Sequence, residues 1–483
     1  MILLSFGFLI FLSVIFILYW YVFSESAKSQ NILLSFSSLL FYGIADWHFL
    51  LILIFSILFN FYSARVISRN TMKRRLYFLL AGLAVNIGIL AYFKYSDFFY
   101  DRIMHMLSIQ GNKYDSLHII LPLGISFYTF QAIGYIVDVY NERMKPYHNL
   151  LTFATFISYF PKMTAGPIEP AEHFIGQIEK KREFKYHYAV DGLRQILWGV
   201  FVKLVIADNC ASVTGPIFNN YLHLPASTLL TGAFFYLFQV YADFSGYSNI
   251  AIGISKLFGI QLMRNFAAPF FSTNISEYWK RWNISLSSWM MRYVFYPLSF
   301  SLRKFGKLGL IFSILITFLI IGLWHGATYP FIVFGLLHGL YFIPVLLTGK
   351  TTLQDVNRSS PFFPDAADIL RMVCVFVLVM ITIIFFGANS IHQAFNYTAG
   401  LFSFSIFSVP VFPDQAGYLK AIVTLFFILI MMSVEWIQRS KAHEMQIDSI
   451  KSSILRIGIY YAITLSIILC GSEVHIDFIY SQF

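Results

Sequence analysis

The stretch "LIIGLWHGATYPFIVFGLLHG", residues 319–339, decides the fold of this chain. It is apolar for most of its length, as a helix within a lipid bilayer must be. Yet it contains two histidines, His325 and His338, together with Trp324 and several glycines. A membrane-buried imidazole is costly unless a neighbour satisfies it or a reaction needs it. The stretch therefore predicts a membrane protein and marks His325 as a candidate functional residue.

The rest of the chain has the same apolar character. Of its 483 residues, 58% are hydrophobic and only 12% are charged, whereas a soluble domain has about 25% charged residues. Long apolar runs recur from one end to the other, so we expect an all-α, polytopic helical membrane protein. We predict one membrane domain over residues 1–483. The net charge of +10 is expected to come from basic cytoplasmic loops, with no nucleic-acid partner.

Apolar runs predict about 11 membrane spans together with re-entrant or broken helices. The run 150–165 and the run 311–324 are short for a bilayer of about 30 Å, so we expect them to be such broken elements. The run 2–23 lacks a basic start and a small-residue cleavage site, which indicates a retained span. The candidate spans and half-spans are 2–23, 32–47, 48–64, 76–93, 119–140, 150–165, 189–207, 226–246, 311–324, 331–348, 369–388, 419–437 and 455–472.

Basic residues are distributed unevenly between the connecting segments, which predicts a topology. Seven segments hold 26 of the 34 Lys and Arg residues, and such segments are retained on the cytoplasmic side. Both termini are then extracytoplasmic in a multi-pass protein of the bacterial cytoplasmic membrane. The basic segments are 24–31, 65–75, 141–150, 171–186, 263–310, 349–371 and 438–456.

The stretch 247–310 is the longest loop-like part of the chain and is too polar to span. Aromatic and apolar residues recur in it at helical spacing, which predicts an interfacial amphipathic helix or helix pair on the cytoplasmic face. Ser272, Thr273 or Asn274 would provide its N-cap. The apolar stripe consists of Tyr278, Trp282, Leu286, Trp289 and Tyr293.

Several polar residues in apolar surroundings are open to a functional or a structural interpretation. His325 and His338 are 13 residues apart, which is roughly 20 Å and about 220° of rotation on one helix, so they would not share a metal ion. Gly326 and Pro330 are expected to break the helix between them. Asp243, in "YADFSGYS", is either a functional carboxylate or a helix-end carboxylate paired with a cation. The segment 160–170, "FPKMTAGPIEP", is either a cavity wall or a connecting loop.

Six stretches, taken together and in order, resemble the membrane-bound O-acyltransferase (MBOAT) family. The branch they resemble comprises bacterial alginate O-acetylase-like proteins and the D-alanyl transfer proteins of teichoic acid. The similarity covers roughly residues 120–340. The stretches are "LPLGISFYTFQAIGYIVDVY" (121–140), "FPKMTAGPIEP" (160–170), "WGVFVKLVIADN" (198–209), "YADFSGYSNIAIGISKLFGI" (241–260), "NFAAPFFSTNISEYWKRWNISLSSW" (265–289) and "GLWHGATYPFIVFGLLHG" (322–339).

The resemblance implies a catalytic role for His325, at the bottom of a central tunnel through the membrane, and for Asn283 as the second polar residue. The branch usually has "RWHxSLS", whereas this chain has "RWNISLS"; more distant members of the family use Asn. The branch also shows Arg-Asp at the positions held here by Met291 and Arg292. His338 is then a structural histidine behind the catalytic one. The candidates for substrate binding are Trp324, Trp282, Arg281, Lys280, Arg292 and Asp243.

The resemblance implies transfer of acetyl groups from cytoplasmic acetyl-CoA for O-acetylation of an exopolysaccharide or peptidoglycan. Acetyl-CoA would be a donor substrate, with no tightly bound cofactor and no metal. A separate extracytoplasmic transferase of the SGNH/GDSL type would be the partner. Lys280, Arg281, Arg292 and Arg264 would attract either the donor phosphates or anionic lipid head groups. One alternative is D-alanyl transfer to teichoic acid, and another is a transporter or flippase with a buried histidine.

Overall fold

The computed structural model describes residues 5–106, 119–164, 166–348, 363–412, 415–472 and 478–479. It is 79% helical, and these described ranges contain no strand. Eight helices in them are long and apolar enough to cross a membrane, by length and composition, and the helical segment Phe6–Val22 is apolar but shorter. The prediction of a polytopic all-α membrane protein is therefore confirmed.

The chain folds as two compact units. Unit 1 contains residues 1–196 and 251–263, and unit 2 contains residues 197–250 and 264–482, within the described ranges. The family-like stretches with His325 and Asn283 both lie in unit 2. The single membrane domain expected from sequence stays a prediction.

The helices are numbered here in chain order. The first eight are α1 (Phe6–Ile17), α2 (Ala27–Ala45), α3 (Trp47–Arg69), α4 (Met72–Met106), α5 (Ile125–Tyr140), α6 (Leu150–Ser158), α7 (Phe160–Met163) and α8 (Ala171–Ile178). The next six are α9 (Tyr186–Phe201), α10 (Asp208–Asn219), α11 (Ala226–Leu257), α12 (Ile275–Arg281), α13 (Ile284–Met290) and α14 (Tyr296–Ser301). The last six are α15 (Gly306–His325), α16 (Tyr329–Thr348), α17 (Ala366–Gly387), α18 (Ile391–Gly400), α19 (Gln415–Gln438) and α20 (Ser453–Cys470). Wider π-helical turns occupy Leu18–Val22, Val202–Ala207 and Met291–Phe295.

Helices α15 and α16 form a closely packed hairpin around the opening stretch. A Cβ atom on Gly322 would lie 2.2 Å from the Phe331 carbonyl oxygen, and one on Gly335 would lie 2.3 Å from that of Phe318. Only glycine lets two helix backbones approach this closely. The glycines of the stretch therefore fix the separation of the two helices, and with it the position of the turn that follows His325.

The structure corrects two expectations about segment length. The run 311–324 was predicted to be a short, re-entrant or broken helix, but α15 begins five residues earlier at Gly306, and Arg303–His325 is long enough to span. The predicted length was wrong because Lys307 lies within the helix, where its exposed side chain donates to the Leu347 carbonyl.

The stretch 247–310 was read as loop-like from its first residue, but α11 continues to Leu257. This continuation carries buried polar side chains, which lowered its apparent apolarity. Ser255, for example, satisfies its hydroxyl by donating to the Ala251 carbonyl at 2.8 Å within the helix. Beyond Leu257, the predicted helix pair is present as α12 and α13.

The described residues of the segment 160–170 are mostly buried within unit 1, and only Phe160–Met163 are helical. Tyr159 breaks the helical path between α6 and α7. The buried Lys162 amino group donates to Gln131 Oε1 at 2.7 Å and lies over the Phe156 and Phe174 rings. The prediction of a broken element at 150–165 is thus confirmed for its described residues. Its predicted role as a cavity wall stays a prediction.

Candidate active site

His325 is the last residue of α15 and is buried at the turn of the hairpin. Gly326 ends the helix in an extended conformation, so the expected break after His325 is confirmed. The imidazole lies among aromatic rings, with centroid distances of 4.8 Å to Trp324, 4.9 Å to Phe386 and 5.6 Å to Phe334. Such a site excludes water and holds the ring in one orientation, both of which suit a group that transfers a proton.

His338 lies on α16 and is buried like His325. Its Nδ1 accepts a hydrogen bond from Trp279 Nε1 at 3.3 Å, so Nδ1 is unprotonated. The Phe334 ring lies 4.8 Å from His338 and 5.6 Å from His325. His338 therefore connects α12 to the aromatic surroundings of His325, and its structural role stays a prediction.

Asn283 forms the break between α12 and α13. It adopts the left-handed conformation, with φ 42° and ψ 56°, which asparagine tolerates better than most residues. The expected helix pair is therefore two separate helices, and Asn274 N-caps the first by accepting from Glu277 N–H at 2.9 Å. The Asn283 side chain is buried, and its Oδ1 accepts no hydrogen bond from any described residue. A strained, buried and partly unsatisfied amide is typical of a functional site.

Two further buried polar residues, Asn265 and Ser285, lie near Asn283, and the sequence did not single out either of them. These three residues are called the polar cluster below. The Ile284 N–H donates to the Asn265 carbonyl at 2.9 Å, which holds the two asparagine segments side by side. Asn265 is 1% exposed, and neither its Oδ1 nor its Nδ2 has a partner among the described residues. The buried Ser285 hydroxyl is likewise without a described partner. The only sequence signal was that Asn265 begins the same family-like stretch as Asn283.

Trp282 packs into an aromatic group directly beside Asn283. Its ring lies 5.2 Å from Phe266, 5.7 Å from Tyr241 and 6.3 Å from Phe270. The Tyr241 hydroxyl donates to the buried Glu435 carboxylate at 2.7 Å. Trp282 and Trp324 are thus both buried within unit 2, one beside Asn283 and the other beside His325. Their contact with a substrate stays a prediction.

The three basic residues predicted to bind substrate differ in their surroundings. Arg281 donates to Glu277 at 2.6 Å, one turn earlier on α12. Arg292 lies in the π-helical turn after α13, with its guanidinium carbon 5.5 Å from the Tyr293 ring centroid. Lys280 is half-buried at the end of α12. Their predicted attraction for an anionic substrate stays a prediction.

Asp243 lies in the interior of α11, so its expected position at a helix end was wrong. Its carboxylate is 2.6 Å from the Lys203 amino group, which is also 2.7 Å from Asp208. The Ile479 N–H donates to the other Asp243 oxygen at 2.7 Å. Buried charges need such partners. The geometry therefore fits the structural interpretation of Asp243, in which its carboxylate is paired with a cation. A substrate contact by Asp243 stays a prediction.

Fold and site together define a class of protein. Unit 2 combines apolar helices long enough to span a membrane with a buried imidazole at a helix break and a buried, partly unsatisfied amide cluster. Within the described ranges, no group of three or more His, Cys, Asp or Glu side chains could hold a metal ion. The apolar helices and the buried imidazole and amide are typical of a membrane-embedded enzyme.

The particular family follows from comparison with known proteins. The chain belongs to the membrane-bound O-acyltransferase family, whose family model matches residues 140–388. This range includes Asn283 and His325 at the positions carried over from the family's stretches. The protein is therefore an O-acyltransferase.

Curated relatives cover most of the chain. It is 32% identical over 384 residues to the probable alginate O-acetylase AlgI of Pseudomonas aeruginosa, covering 78% of this chain and 70% of that protein. It is 32% identical over 394 residues to the peptidoglycan O-acetyltransferase of Helicobacter pylori, covering 76% and 72%. It is 30% identical over 316 residues to the teichoic acid D-alanyltransferase of Bacillus subtilis, covering 61% and 76%.

Proposed function

We propose that this enzyme takes acetyl groups from cytoplasmic acetyl-CoA for the O-acetylation of an extracytoplasmic polysaccharide. The observation that carries the proposal is the buried His325 at the end of α15, within an aromatic shell of unit 2. The relatives named as alginate and peptidoglycan O-acetyltransferases support acetyl as the group transferred. Neither a tightly bound cofactor nor a metal is part of the proposal.

The chemistry requires a base and a donor for the developing negative charge. The acceptor hydroxyl oxygen attacks the thioester carbonyl carbon, the carbon–sulfur bond breaks, and the thiolate leaves and is protonated to the thiol. His325 would take the hydroxyl proton and return it to the leaving sulfur. The Asn283 amide N–H would stabilise the oxyanion that forms on the carbonyl oxygen. Asn265 and Ser285 offer further polar atoms that need partners beside Asn283.

The second candidate is D-alanyl transfer to teichoic acid. It is supported by the teichoic acid D-alanyltransferase relative, which matches 61% of this chain. The two relatives named as O-acetylases match 78% and 76% of it, so their longer alignments favour acetyl transfer. The transporter alternative has no such support, because the family assignment makes the chain an enzyme.

The acceptor side of the reaction is part of the same proposal. We infer that a separate extracytoplasmic transferase of the SGNH/GDSL type receives the acetyl group and places it on the polysaccharide. This division needs a donor side in the cytoplasm and an acceptor side outside, in the bacterial cytoplasmic membrane. It fits the distribution of basic residues, which predicts extracytoplasmic termini.

Cysteine labelling in intact cells tests this topology. The background should lack Cys374 and Cys470, which are at least partly exposed, and retain the buried Cys210. A membrane-impermeant maleimide should label Ser472→Cys, just beyond α20, but not Lys73→Cys at the start of α4. Labelling of Lys73→Cys but not of Ser472→Cys would place the basic segments outside the cell and contradict a cytoplasmic donor.

Purified protein tests the activity itself. The wild-type enzyme in detergent or nanodiscs should release free thiol from acetyl-CoA when its extracytoplasmic transferase or a hydroxyl acceptor is present. His325→Ala should not. Thiol release from D-alanyl carrier protein, without release from acetyl-CoA, would replace the proposal by the second candidate.

A further inference from the structure

A small open pocket in unit 2 brings together two basic segments that are distant in sequence. One side is formed by residues 264–268, and the other by the end of α19 and the residues after it. The cations that line it are Arg264, Arg439 and Lys441, and the acids are Glu435 and Glu444. Arg439 and Lys441 lie outside residues 140–388, which the family model matches, and neither was singled out by the sequence.

Both arginines at this pocket lie near the positive charge of Arg281, which does not itself line the pocket. Loss of solvent around its guanidinium lowers the pKa of Arg264; Arg281 also lowers it, while Glu444 opposes the effect. Loss of solvent and the charge of Arg281 likewise lower the pKa of Arg439. Like charges held together store repulsion, and an anion bound between them relieves it.

The acidic lining does not remove this excess of positive charge. Glu435 is buried, and its carboxylate accepts the hydrogen bond from Tyr241. Arg264 also donates weakly to the Lys441 carbonyl at 3.4 Å, which joins the two sides of the pocket. Three cations and two acids therefore line the pocket, a formal excess of one positive charge.

The pocket also adjoins the polar cluster of the candidate active site. Phe266 lines the pocket, and its ring contacts Trp282, the residue before Asn283. Between Arg264 and Phe266 lies Asn265, whose buried amide has no described partner. A molecule held at the pocket would therefore lie beside the 264–266 segment, which the Ile284 N–H joins to the segment of Asn283.

We propose that this pocket binds phosphate groups of the acyl donor, with Arg264, Arg439 and Lys441 as their ligands. The inference rests on the proposed function, in which the donor is a coenzyme A thioester. Arginine suits this task because its planar guanidinium binds phosphate oxygens in pairs. Arg281 lies close enough to act on Arg264 and Arg439, but its guanidinium already has Glu277 as its partner.

The test compares two donors that differ in phosphate content. Acetyl-CoA carries the phosphates, whereas acetyl-pantetheine presents the same thioester without them. Arg439→Gln and Lys441→Gln should each raise KM for acetyl-CoA about tenfold, the effect of losing one charge-assisted contact, and leave KM for acetyl-pantetheine unchanged. The Lys441 side chain is exposed, so its replacement leaves folding intact.

The matched control is Arg303→Gln, which removes an exposed arginine of unit 2 whose guanidinium donates to the Phe300 carbonyl. Its KM for both donors should equal that of the wild type. Assays in lipid-free detergent and in nanodiscs with anionic lipid separate a donor site from a lipid site. A KM change that appears only in anionic nanodiscs would assign the pocket to lipid head groups and overturn the proposal.

Two further outcomes separate this inference from the proposed function. If the wild type turns over acetyl-CoA but both pocket variants keep its KM, the pocket assignment fails and acetyl transfer stands. If the wild type neither binds nor turns over acetyl-CoA, both fail together.

Discussion

Replacing His325 by alanine tests the proposed chemistry most directly, because this one side chain is assigned the proton transfer. Loss of a general base costs typically ~10²–10⁴-fold in rate, or about 3–5 kcal/mol of transition-state stabilisation. The buried site offers little access for water to substitute as the base, because the ring is 4% exposed and surrounded by aromatic side chains. We therefore expect a loss of kcat at the upper end of this range.

The same substitution also removes packing, which must be separated from the loss of chemistry. Deleting a buried ring typically destabilises a protein by about 3–5 kcal/mol, and the contacts of His325 with Trp324, Phe334 and Phe386 would be lost. His325→Gln fills more of this space and keeps a polar group, but it cannot act as a base. It should be as inactive as His325→Ala while unfolding closer to the wild-type temperature.

His338 provides the matched control within the same hairpin. His338→Gln keeps an acceptor for the Trp279 N–H and should retain kcat within about tenfold of wild type, as expected for a residue outside the chemistry. His338→Ala leaves that donor unpartnered at about 1–3 kcal/mol, so it should lower the unfolding temperature more than the activity. The assay is thiol release by each purified variant at equal folded concentration. Near-normal turnover by His325→Ala would refute the mechanism.

Three further predictions concern the polar cluster and the hairpin. Asn283→Ala should lower kcat by ~10²–10³-fold, as loss of one oxyanion donor does, and Asn283→His should restore part of it; unchanged kcat in the alanine variant would remove Asn283 from the mechanism. Asn265→Leu should lower the rate of acetyl transfer by about tenfold or more. It should not lower the unfolding temperature, because the removed amide has no described partner that would be left unsatisfied. A variant that is less stable but fully active would make Asn265 a structural residue. Gly322→Ala should destabilise the protein by about 1–3 kcal/mol through its clash with the Phe331 carbonyl, while Gly458→Ala, with open space around it, should not; equal thermal unfolding of the two would contradict the close packing of α15 and α16.

The sequence by itself determined the class of fold and the position of the candidate catalytic residue. The shortage of charge and the long apolar runs indicate helices within a membrane, because a helix satisfies the backbone of one continuous apolar run there without water. Gly326 and Pro330 marked the end of the helix at His325, since both residues act on the local backbone. The resemblance then singled out His325 and Asn283 among the polar residues.

Tertiary structure alone decided which polar residues belong together. Asn265 lies beside the segment of Asn283 because its carbonyl accepts a hydrogen bond from the Ile284 N–H, and no local pattern encodes such a contact. Asp243 became a paired carboxylate because Lys203, which also pairs with Asp208, reaches it from another part of the chain, and burial demands that pairing. Arg439 and Arg264 meet at one pocket although they are far apart in the chain. Sequence patterns report the local backbone and its burial, whereas the partners of a buried charge or amide are set by how distant helices pack.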